Sequence, residues 1–244
     1  MFRHKGKGRT YSHNLKLASI LSGVAGVVNI VGVLELKMLT TNVTGHFAFF
    51  SEELILKNYS MALIYLIYIL FFLFGAFISS LIMEWITKYK AQASYVIPIL
   101  IEIAILFIVS FSNCFLPREK LSISILLSSA LLFSMGLQNA LVTRVSQSVV
   151  RTTHLTGLFT DLGIELSQLF FYKSKSEKIT LNKSIFLKFA IICCFFSGGI
   201  IGGFVYAYFE LKTLLLPIAL LIFALWYDHL LIRYYFLRKK LRHH

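Results

Sequence analysis

The sequence predicts an all-α integral membrane protein, with six transmembrane helices arranged as two inverted three-helix repeats. Three observations lead to this fold class: long apolar blocks, a motif that occurs twice, and an uneven distribution of basic residues. Hydrophobic residues make up 57% of the 244-residue chain and charged residues 14%, whereas about 25% of a soluble domain is charged. The mean hydropathy of +0.77 also favours a membrane protein.

Six apolar blocks predict the transmembrane helices, because a helix needs about 20 apolar residues to cross a bilayer. They lack the alternating polarity of barrel strands, so we interpret them as helices. The first block follows a basic stretch but precedes no small-residue cleavage site, which favours a retained helix over a secretory signal. The blocks are Leu17–Leu34, Tyr59–Met83, Ala91–Pro117, Leu121–Thr143, Phe189–Phe209 and Thr213–Tyr227, the last continuing toward Ile232.

The net charge of +13 is unevenly distributed along the chain. With the N-terminus in the cytoplasm, 19 of the 24 Lys and Arg residues fall on the cytoplasmic side of the predicted helices. This is the positive-inside pattern, and it places both termini in the cytoplasm. The basic charge then sets orientation and contacts anionic lipid headgroups, so the bilayer rather than nucleic acid is the expected partner. The opposite side keeps only Lys37, Lys57, Arg118, Lys120 and Lys212.

A six-residue motif occurs twice, as Thr40-Thr-Asn-Val-Thr-Gly45 and as Thr152-Thr-His-Leu-Thr-Gly157. Each copy follows an apolar block that carries Gly-x-x-Asn, ending at Asn29 in the first and at Asn139 in the second. An internal repeat indicates a duplicated structural unit. In transporters, such units are often inverted and enclose the binding site.

The repeat extends into the following blocks. The second and fifth blocks carry an aromatic residue and small residues four apart, a spacing that lets helices approach closely in lipid. The third and sixth blocks each have a proline near their start, Pro98 and Pro217. Three spans per unit is an odd number, so the second unit enters the membrane from the opposite face. The aromatic residue and the small residues that follow it are Phe71, Gly75 and Ser79 in the second block, and Phe195, Gly199 and Gly203 in the fifth.

The predicted organisation of the chain has four regions: a basic tail 1–16, repeats 17–117 and 121–232, and a basic tail 233–244.

A short helix is predicted after each motif copy. After the second copy, apolar residues from Leu155 to Leu169 recur at helical spacing, and Thr153 or Thr156 is suited to cap the helix. Two interpretations fit these short helices: amphipathic segments lying flat in the membrane interface, or half-helices that fold back toward the bilayer centre. The polar segment Lys173–Lys183 is expected to be a cytoplasmic loop.

At the repeated motifs the sequence resembles a known family. Met135-Gly-Leu-Gln-Asn-Ala140 and Val150-Arg-Thr-Thr-His-Leu-Thr-Gly157 closely resemble the second-half signature of the YoaK family of bacterial six-helix membrane proteins, a domain-of-unknown-function family. The resemblance covers roughly residues 15–232 and includes Pro98–Glu102 in the third helix. The first-half signature is altered, with Asn29 at its Asp position and His46 following Thr44-Gly45. The resemblance implies a location in the bacterial cytoplasmic membrane.

Glu102 is the clearest candidate for function, because an acid inside a span is costly and usually faces the bundle interior. Three interpretations fit Glu102: a proton or cation relay, a protonated and hydrogen-bonded contact between helices, or a residue that lies nearer the cytoplasmic interface. The amides of Asn29, Gln138 and Asn139 either bind a solute or join helices. The remaining candidates are Thr44, Gly45, Thr156 and Gly157, which either contact substrate or form a capped turn, and Arg151, which either holds an anion or anchors the interface.

The sequence predicts no metal site, no cofactor and no enzymatic activity. His46 and His154 stand apart from other metal-ligating residues, and no nucleophile is accompanied by a base. The function predicted from these features is that of a small-solute transporter, suggested by the inverted repeat. The alternative is a non-transporting membrane scaffold or sensor, suggested by the basic cytoplasmic surface. The sequence leaves the substrate and the oligomeric state open.

Overall fold

The structure is a computed structural model that describes residues 10–89, 95–115, 121–172 and 174–227. These residues form an all-α fold without strands. Short 3₁₀ turns follow two of the helices, at Ser112–Cys114 and Glu210–Leu214, and residues 215–227 form a C-terminal helical segment. The helices are α1 (Tyr11–Leu36), α2 (Val43–Ile55), α3 (Tyr59–Tyr89), α4 (Val96–Phe111), α5 (Leu121–Ser146), α6 (Leu155–Gln168) and α7 (Lys175–Phe209).

Five helical stretches among the described residues are long and apolar enough to cross a membrane. Three of them contain the first, second and fourth predicted blocks, and the fifth, Lys175–Tyr227, contains the last two. The remaining stretch, Val96–Cys114, lies within the third predicted block, whose ends at residues 91–94 and 116–117 are outside the described residues. Glu210 interrupts this fifth stretch with a positive φ of 49°. The predicted continuation to Ile232, residues 1–9 of the N-terminal tail and the C-terminal tail 233–244 lie outside the described residues.

The predicted loop at Lys173–Lys183 is wrong from Lys175 onward, because α7 begins there. The charged residues in this segment are good helix formers, so polarity alone does not break the helix. Leu181 is buried, and Lys188 donates a hydrogen bond to Glu165 of α6 at 2.6 Å. Contacts to α6 therefore extend α7 well beyond its apolar block.

The helices pack as two principal pairs, α1 with α7 and α3 with α5. In the first pair Gly26 lies against the backbone carbonyl of Phe195, and in the second Gly136 lies against the carbonyl of Phe72. A side chain at either glycine would overlap that carbonyl, so only glycine permits this separation of the helices. Both pairs are parallel. In the first, Gly26 meets Phe195 and, nearer the C-terminal ends, Tyr206 donates to Glu35 at 2.5 Å. In the second, Gly136 meets Phe72 and, nearer the C-terminal ends, Arg144 donates to the Ser80 hydroxyl at 3.1 Å.

The glycine contacts correct the predicted register of the second and fifth blocks by one residue. Gly75 lies against the carbonyl of Phe133, and Gly198 lies against the carbonyl of Gly23. The equivalent residues are therefore Phe72 with Phe195 and Gly75 with Gly198, rather than Phe71 with Phe195 and Gly75 with Gly199. The sequence offered two registers here because Gly198 and Gly199 are adjacent.

Many large apolar side chains on the long helices are exposed at the surface, as expected for helices in contact with lipid. α3 carries several of them along its length, while the buried core lies among α1, α4, α5, α7 and the C-terminal helical segment. The exposed set on α3 includes Leu63, Leu70, Phe71, Leu73, Phe74, Phe77, Leu81 and Trp85.

Candidate functional site

The chain turns back on itself after α1 and again after α5. After α1, Lys37 adopts the left-handed conformation (φ 55°), and the Met38 N–H donates to the Gly32 carbonyl at 3.1 Å. After α5, Gln147 and Ser148 have φ values of 54° and 64°. These positive-φ residues reverse the chain at equivalent points of the two repeats.

Each motif copy is hydrogen-bonded to the asparagine of the preceding helix. The Thr41 hydroxyl donates to Asn29 Oδ1 at 2.9 Å, and the Thr153 hydroxyl donates to Asn139 Oδ1 at 2.7 Å. Each asparagine lies seven residues before the end of its helix, so each motif returns about 10 Å along that helix. The two Thr–Asn bonds are equivalent contacts in the two repeats.

The motif copies form the N-termini of α2 and α6. Asn42 is the N-cap of α2, and its side chain accepts a hydrogen bond from the Gly45 N–H at 3.0 Å. His154 is the N-cap of α6 and provides no side-chain hydrogen bond. The prediction that Thr153 or Thr156 caps α6 is wrong, since Thr153 donates its hydroxyl to Asn139 instead.

A cavity of about 1000 Å³ lies between the two motif copies. Its lining consists of nine pairs of repeat-equivalent residues and one further residue, Thr143. The side chains of Asn42, Thr44, Arg151, His154 and Thr156 are exposed, so the cavity is open to the outside of the protein. The pairs are Asn29 and Asn139, Leu39 and Arg151, Thr41 and Thr153, Asn42 and His154, Val43 and Leu155, Thr44 and Thr156, Gly45 and Gly157, Ala48 and Thr160, and Phe72 and Phe195.

Seven of the nine candidate residues line this cavity, and the structure separates the other two from it. Gln138 is buried and donates its amide to the Leu21 carbonyl at 2.8 Å, which joins α5 to α1. Glu102 lies in α4 and does not reach the cavity lining. The seven residues in the lining are Asn29, Asn139, Thr44, Gly45, Thr156, Gly157 and Arg151.

Glu102 is buried in the core, with 1% of its surface exposed. Its Oε1 atom has no hydrogen-bond partner among the described residues. Leu221 occupies the matching position relative to the proline in the other repeat and is equally buried. A buried carboxyl group without a partner is costly, so Glu102 is a second polar feature distinct from the cavity.

The sequence did not single out Thr41, Thr153, Phe72 or Phe195 as site residues. The repeated Thr-Thr pair was visible in the sequence. The hydrogen bonds of Thr41 and Thr153 to asparagine were not, because they form only where the chain turns back after α1 and α5. The phenylalanines belong to an apolar run, and only the correct glycine register identifies Phe72 and Phe195 as equivalent.

His46 of α2 is fully buried next to the first motif copy. Its Nε2 atom donates to the Leu39 carbonyl at 2.7 Å, and its ring lies 6.1 Å from Tyr65 and 5.7 Å from Tyr68. Burial lowers the pKa of His46, although the hydrogen bond to Leu39 partly opposes the shift. His46 therefore fixes α2 against α3 as a neutral side chain.

A second cavity of about 500 Å³ adjoins the first and shares Asn139 and Thr143 with it. It follows α5 toward its C-terminal end, where Arg144, Gln147 and Ser148 line it. Arg144 is paired there with Glu84 of α3 and donates to the Ser80 hydroxyl at 3.1 Å. The two cavities together connect the motif copies with the end of α5.

The long apolar helices of the described residues define this chain as an α-helical membrane protein. Residues 17–227 match the model of a family of proteins of unknown function, DUF1275. The chain belongs to this family, since the match covers most of its length. No curated protein and no solved structure matches the chain.

Proposed function

We propose that the protein is a small-solute transporter whose substrate site is the cavity between the two Thr-Gly motifs. The proposal rests on the symmetry of the lining, which contains nine residues of one repeat together with their nine equivalents in the other. In secondary transporters built from inverted repeats, the substrate lies at the repeat interface near the membrane midplane. A substrate site at this interface is therefore expected to be lined by equivalent residues of both repeats.

The proposed topology has six spans in two inverted repeats. The parallel pairs support it, because inverted three-span units make the first span parallel to the fifth and the second parallel to the fourth. A returning sixth span is supported by the hydrogen bond from Lys16 near the start of α1 to Tyr227 at 2.8 Å. The Glu210–Leu214 turn contacts α1 as well as α4 and α7, which is consistent with a chain reversal at Glu210.

In this topology α2 and α6 are re-entrant half-helices rather than segments lying flat in the interface. The Thr41–Asn29 and Thr153–Asn139 bonds support this, since each holds a helix N-terminus about 10 Å inside the end of a span. Irregular backbone at membrane depth is tolerated where it lines a water-filled cavity. The exposed Arg151 at the cavity favours water there, because an arginine facing lipid is costly.

The positive-inside pattern places the N- and C-termini, and the C-terminal end of α5, in the cytoplasm of a bacterial cell. The adjoining cavity at Arg144 and Gln147 then forms a cytoplasmic route to the site. The segments Met135–Ala140 and Val150–Gly157 resemble the YoaK signature, which supports placing the proposed transporter in that group. Reporter fusions in the connection between α6 and α7 should report a cytoplasmic location, and fusions at Arg118 an outside location. Finding both on one side would contradict the inverted repeat.

Glu102 is the proposed proton-coupling residue of the transporter. It is the acid that lies fully buried among the described residues, and it has no hydrogen-bond partner there. Acids within spans commonly act in proton relays. Glu102 lies in α4, and α4 packs against α5. Because Glu102 does not line the cavity, its protonation is proposed to act on the site through movement of α4 against α5.

A proteoliposome uptake screen over anionic, neutral and cationic solutes tests the transport function. The expected result is uptake of at least one solute class that is lost in Asn139→Ala and retained in Asn182→Ala. Asn182 is an exposed residue of α7 that does not line the cavity, so Asn182→Ala makes the same chemical change outside the site. Uptake of no solute, or equal uptake in both variants, would favour the scaffold or sensor instead.

A further inference from the structure

The residues that line the cavity carry positive charge without any acidic counterpart. Arg151 and His154 are the basic residues of the lining, and no Asp or Glu lines the cavity within the part of the chain that the structure describes. Arg151 makes no hydrogen bond or ion pair within the described part of the chain, in contrast to Arg144, which is paired with Glu84. A cation beside a polar cavity, without a protein anion, favours an anionic ligand.

The asparagines of the cavity supply N–H donors. The oxygens of Asn29 and Asn139 each accept a hydrogen bond from the threonine of the same repeat, Thr41 or Thr153, which orients both side chains. The amide nitrogen of Asn139 has no acceptor among the described residues. Asn139 therefore holds a donor that a ligand with acceptor oxygens would satisfy.

The N-terminus of α6 adds to this donor excess. Its N-cap, His154, makes no side-chain hydrogen bond, whereas Asn42 caps α2. The partial positive charge at the start of this 14-residue helix thus lies beside Arg151 without a side-chain acceptor. The first repeat has Leu39 at the position equivalent to Arg151, so the cationic side chain of the lining comes from the second motif copy.

We propose that the cavity binds a small oxyanion, held by Arg151 with the N-terminus of α6 and the amides of Asn29 and Asn139. This inference deepens the proposed transport function by naming its substrate class, and its biological meaning rests on that function. Binding itself is independent of transport and is measured separately.

The test is a thermal-shift titration of the purified full-length protein in a neutral detergent, with phosphate, sulfate and acetate at constant ionic strength. Choline and glycerol are the cationic and neutral comparisons. We expect a saturable stabilisation by at least one oxyanion, with a Kd raised roughly 10- to 100-fold in Arg151→Gln through loss of a charge-assisted bond. Lys178→Gln removes the same charge from an exposed site on α7 and should leave the Kd unchanged.

Asn29→Asp is a second variant that keeps the shape of the side chain and its bond to Thr41. It places a carboxylate in the cavity and should weaken oxyanion binding. Stabilisation by choline or glycerol alone, no saturable shift with any oxyanion, or equal Kd values in wild type and Arg151→Gln would overturn the proposal. So would stabilisation by an anionic phospholipid without any response to the free oxyanions.

The two proposals fail in different ways. Oxyanion binding without uptake of any solute contradicts transport but supports the anion site. Uptake of a neutral or cationic solute, competed by no oxyanion, supports transport but contradicts the anion site.

Discussion

Thr153 donates a hydrogen bond to Asn139 across 2.7 Å, and Thr41 donates the equivalent bond to Asn29 across 2.9 Å. These bonds hold the two Thr-Gly segments against the helices that precede them. The N-termini of α2 and α6 consequently line one cavity instead of lying apart at the two ends of the bundle. Both bonds should therefore contribute to stability and to the site.

Thr153→Val keeps the shape of the side chain but removes the donor to Asn139. We expect it to lower the free energy of unfolding by about 1–2 kcal/mol, because Asn139 Oδ1 is left without its partner. Thr41→Val should have a similar effect through Asn29. Chemical denaturation in detergent, followed by tryptophan fluorescence, measures the change.

Thr160→Val is the matched control for Thr153→Val. Thr160 also lines the cavity, but its hydroxyl donates to the Thr156 carbonyl of its own helix at 3.1 Å. The control should change stability by less than Thr153→Val. Equal stability of the wild type and Thr153→Val would show that the bond does not hold the motif in place.

Gly26→Ala and Gly136→Ala test the close contact within the two parallel helix pairs. Each added methyl group would overlap a backbone carbonyl, of Phe195 or of Phe72, and force the helices apart. Overpacking of this kind costs about 1–3 kcal/mol. A lowered melting temperature of the purified variants is the expected result.

Gly163→Ala in α6 is the control for the glycine variants, because nothing lies within 4 Å of the added carbon. It should leave the melting temperature unchanged or raise it, since alanine favours helix by up to about 1 kcal/mol. A melting temperature of Gly26→Ala equal to that of the wild type would contradict the parallel α1–α7 contact.

The helices and the duplication were predictable from sequence because they depend on local patterns. Apolar blocks and the repeated Gly-x-x-Asn and Thr-Gly elements locate the first four apolar spans and the α6 helix closely. The start of α7 was not predictable, since Lys175–Lys183 is polar and becomes helical with support from α6. Five long apolar stretches are found among the described residues, and the sixth span remains a prediction.

The site was predictable only in part, because it depends on where the chain turns back. Asn29, Asn139 and both Thr-Gly pairs were recognisable from their repetition. Their meeting at one cavity depends on the left-handed residues at Lys37 and Gln147, which no glycine in the sequence marks. Gln138 is adjacent to Asn139 in sequence but faces Leu21 of α1 rather than the cavity. The rotation of α5 about its axis determines which of the two amides reaches the cavity.

His46 should make stability depend on pH. Burial lowers its pKa in the folded state, so the unfolded chain binds a proton at a higher pH than the folded protein does. Its contribution is constant above the unfolded pKa of about 6.5 and is lost as the pH falls through the folded pKa. Thermal unfolding of the wild type and His46→Gln from about pH 7.5 down to about pH 5.5 measures the difference.

His46→Gln keeps a donor for the Leu39 carbonyl but does not titrate. The stability difference between the two proteins should therefore shift in favour of the variant as the pH falls. A difference that is independent of pH would mean that His46 is not buried against Tyr65 and Tyr68 as a neutral ring.

Glu102→Gln tests the proposed coupling role, because it removes the titrating proton and retains the shape of the side chain. The variant should fold normally, since Glu102 has no hydrogen-bond partner to lose among the described residues. In proteoliposomes with an imposed pH gradient, accumulation driven by the gradient should fall to the level of passive exchange. Unchanged accumulation would assign Glu102 a structural role.

Two-sided access to the cavity is the most direct test of the transport proposal. Cysteines placed at Thr44 and Thr156, after replacement of Cys114, Cys193 and Cys194, are treated with a membrane-impermeant maleimide from either face of oriented proteoliposomes. We expect each position to be labelled from both faces, while a cysteine at the fully buried Leu106 is labelled from neither. Labelling of Thr44 from the outer face alone and of Thr156 from the cytoplasmic face alone would contradict a shared transport site.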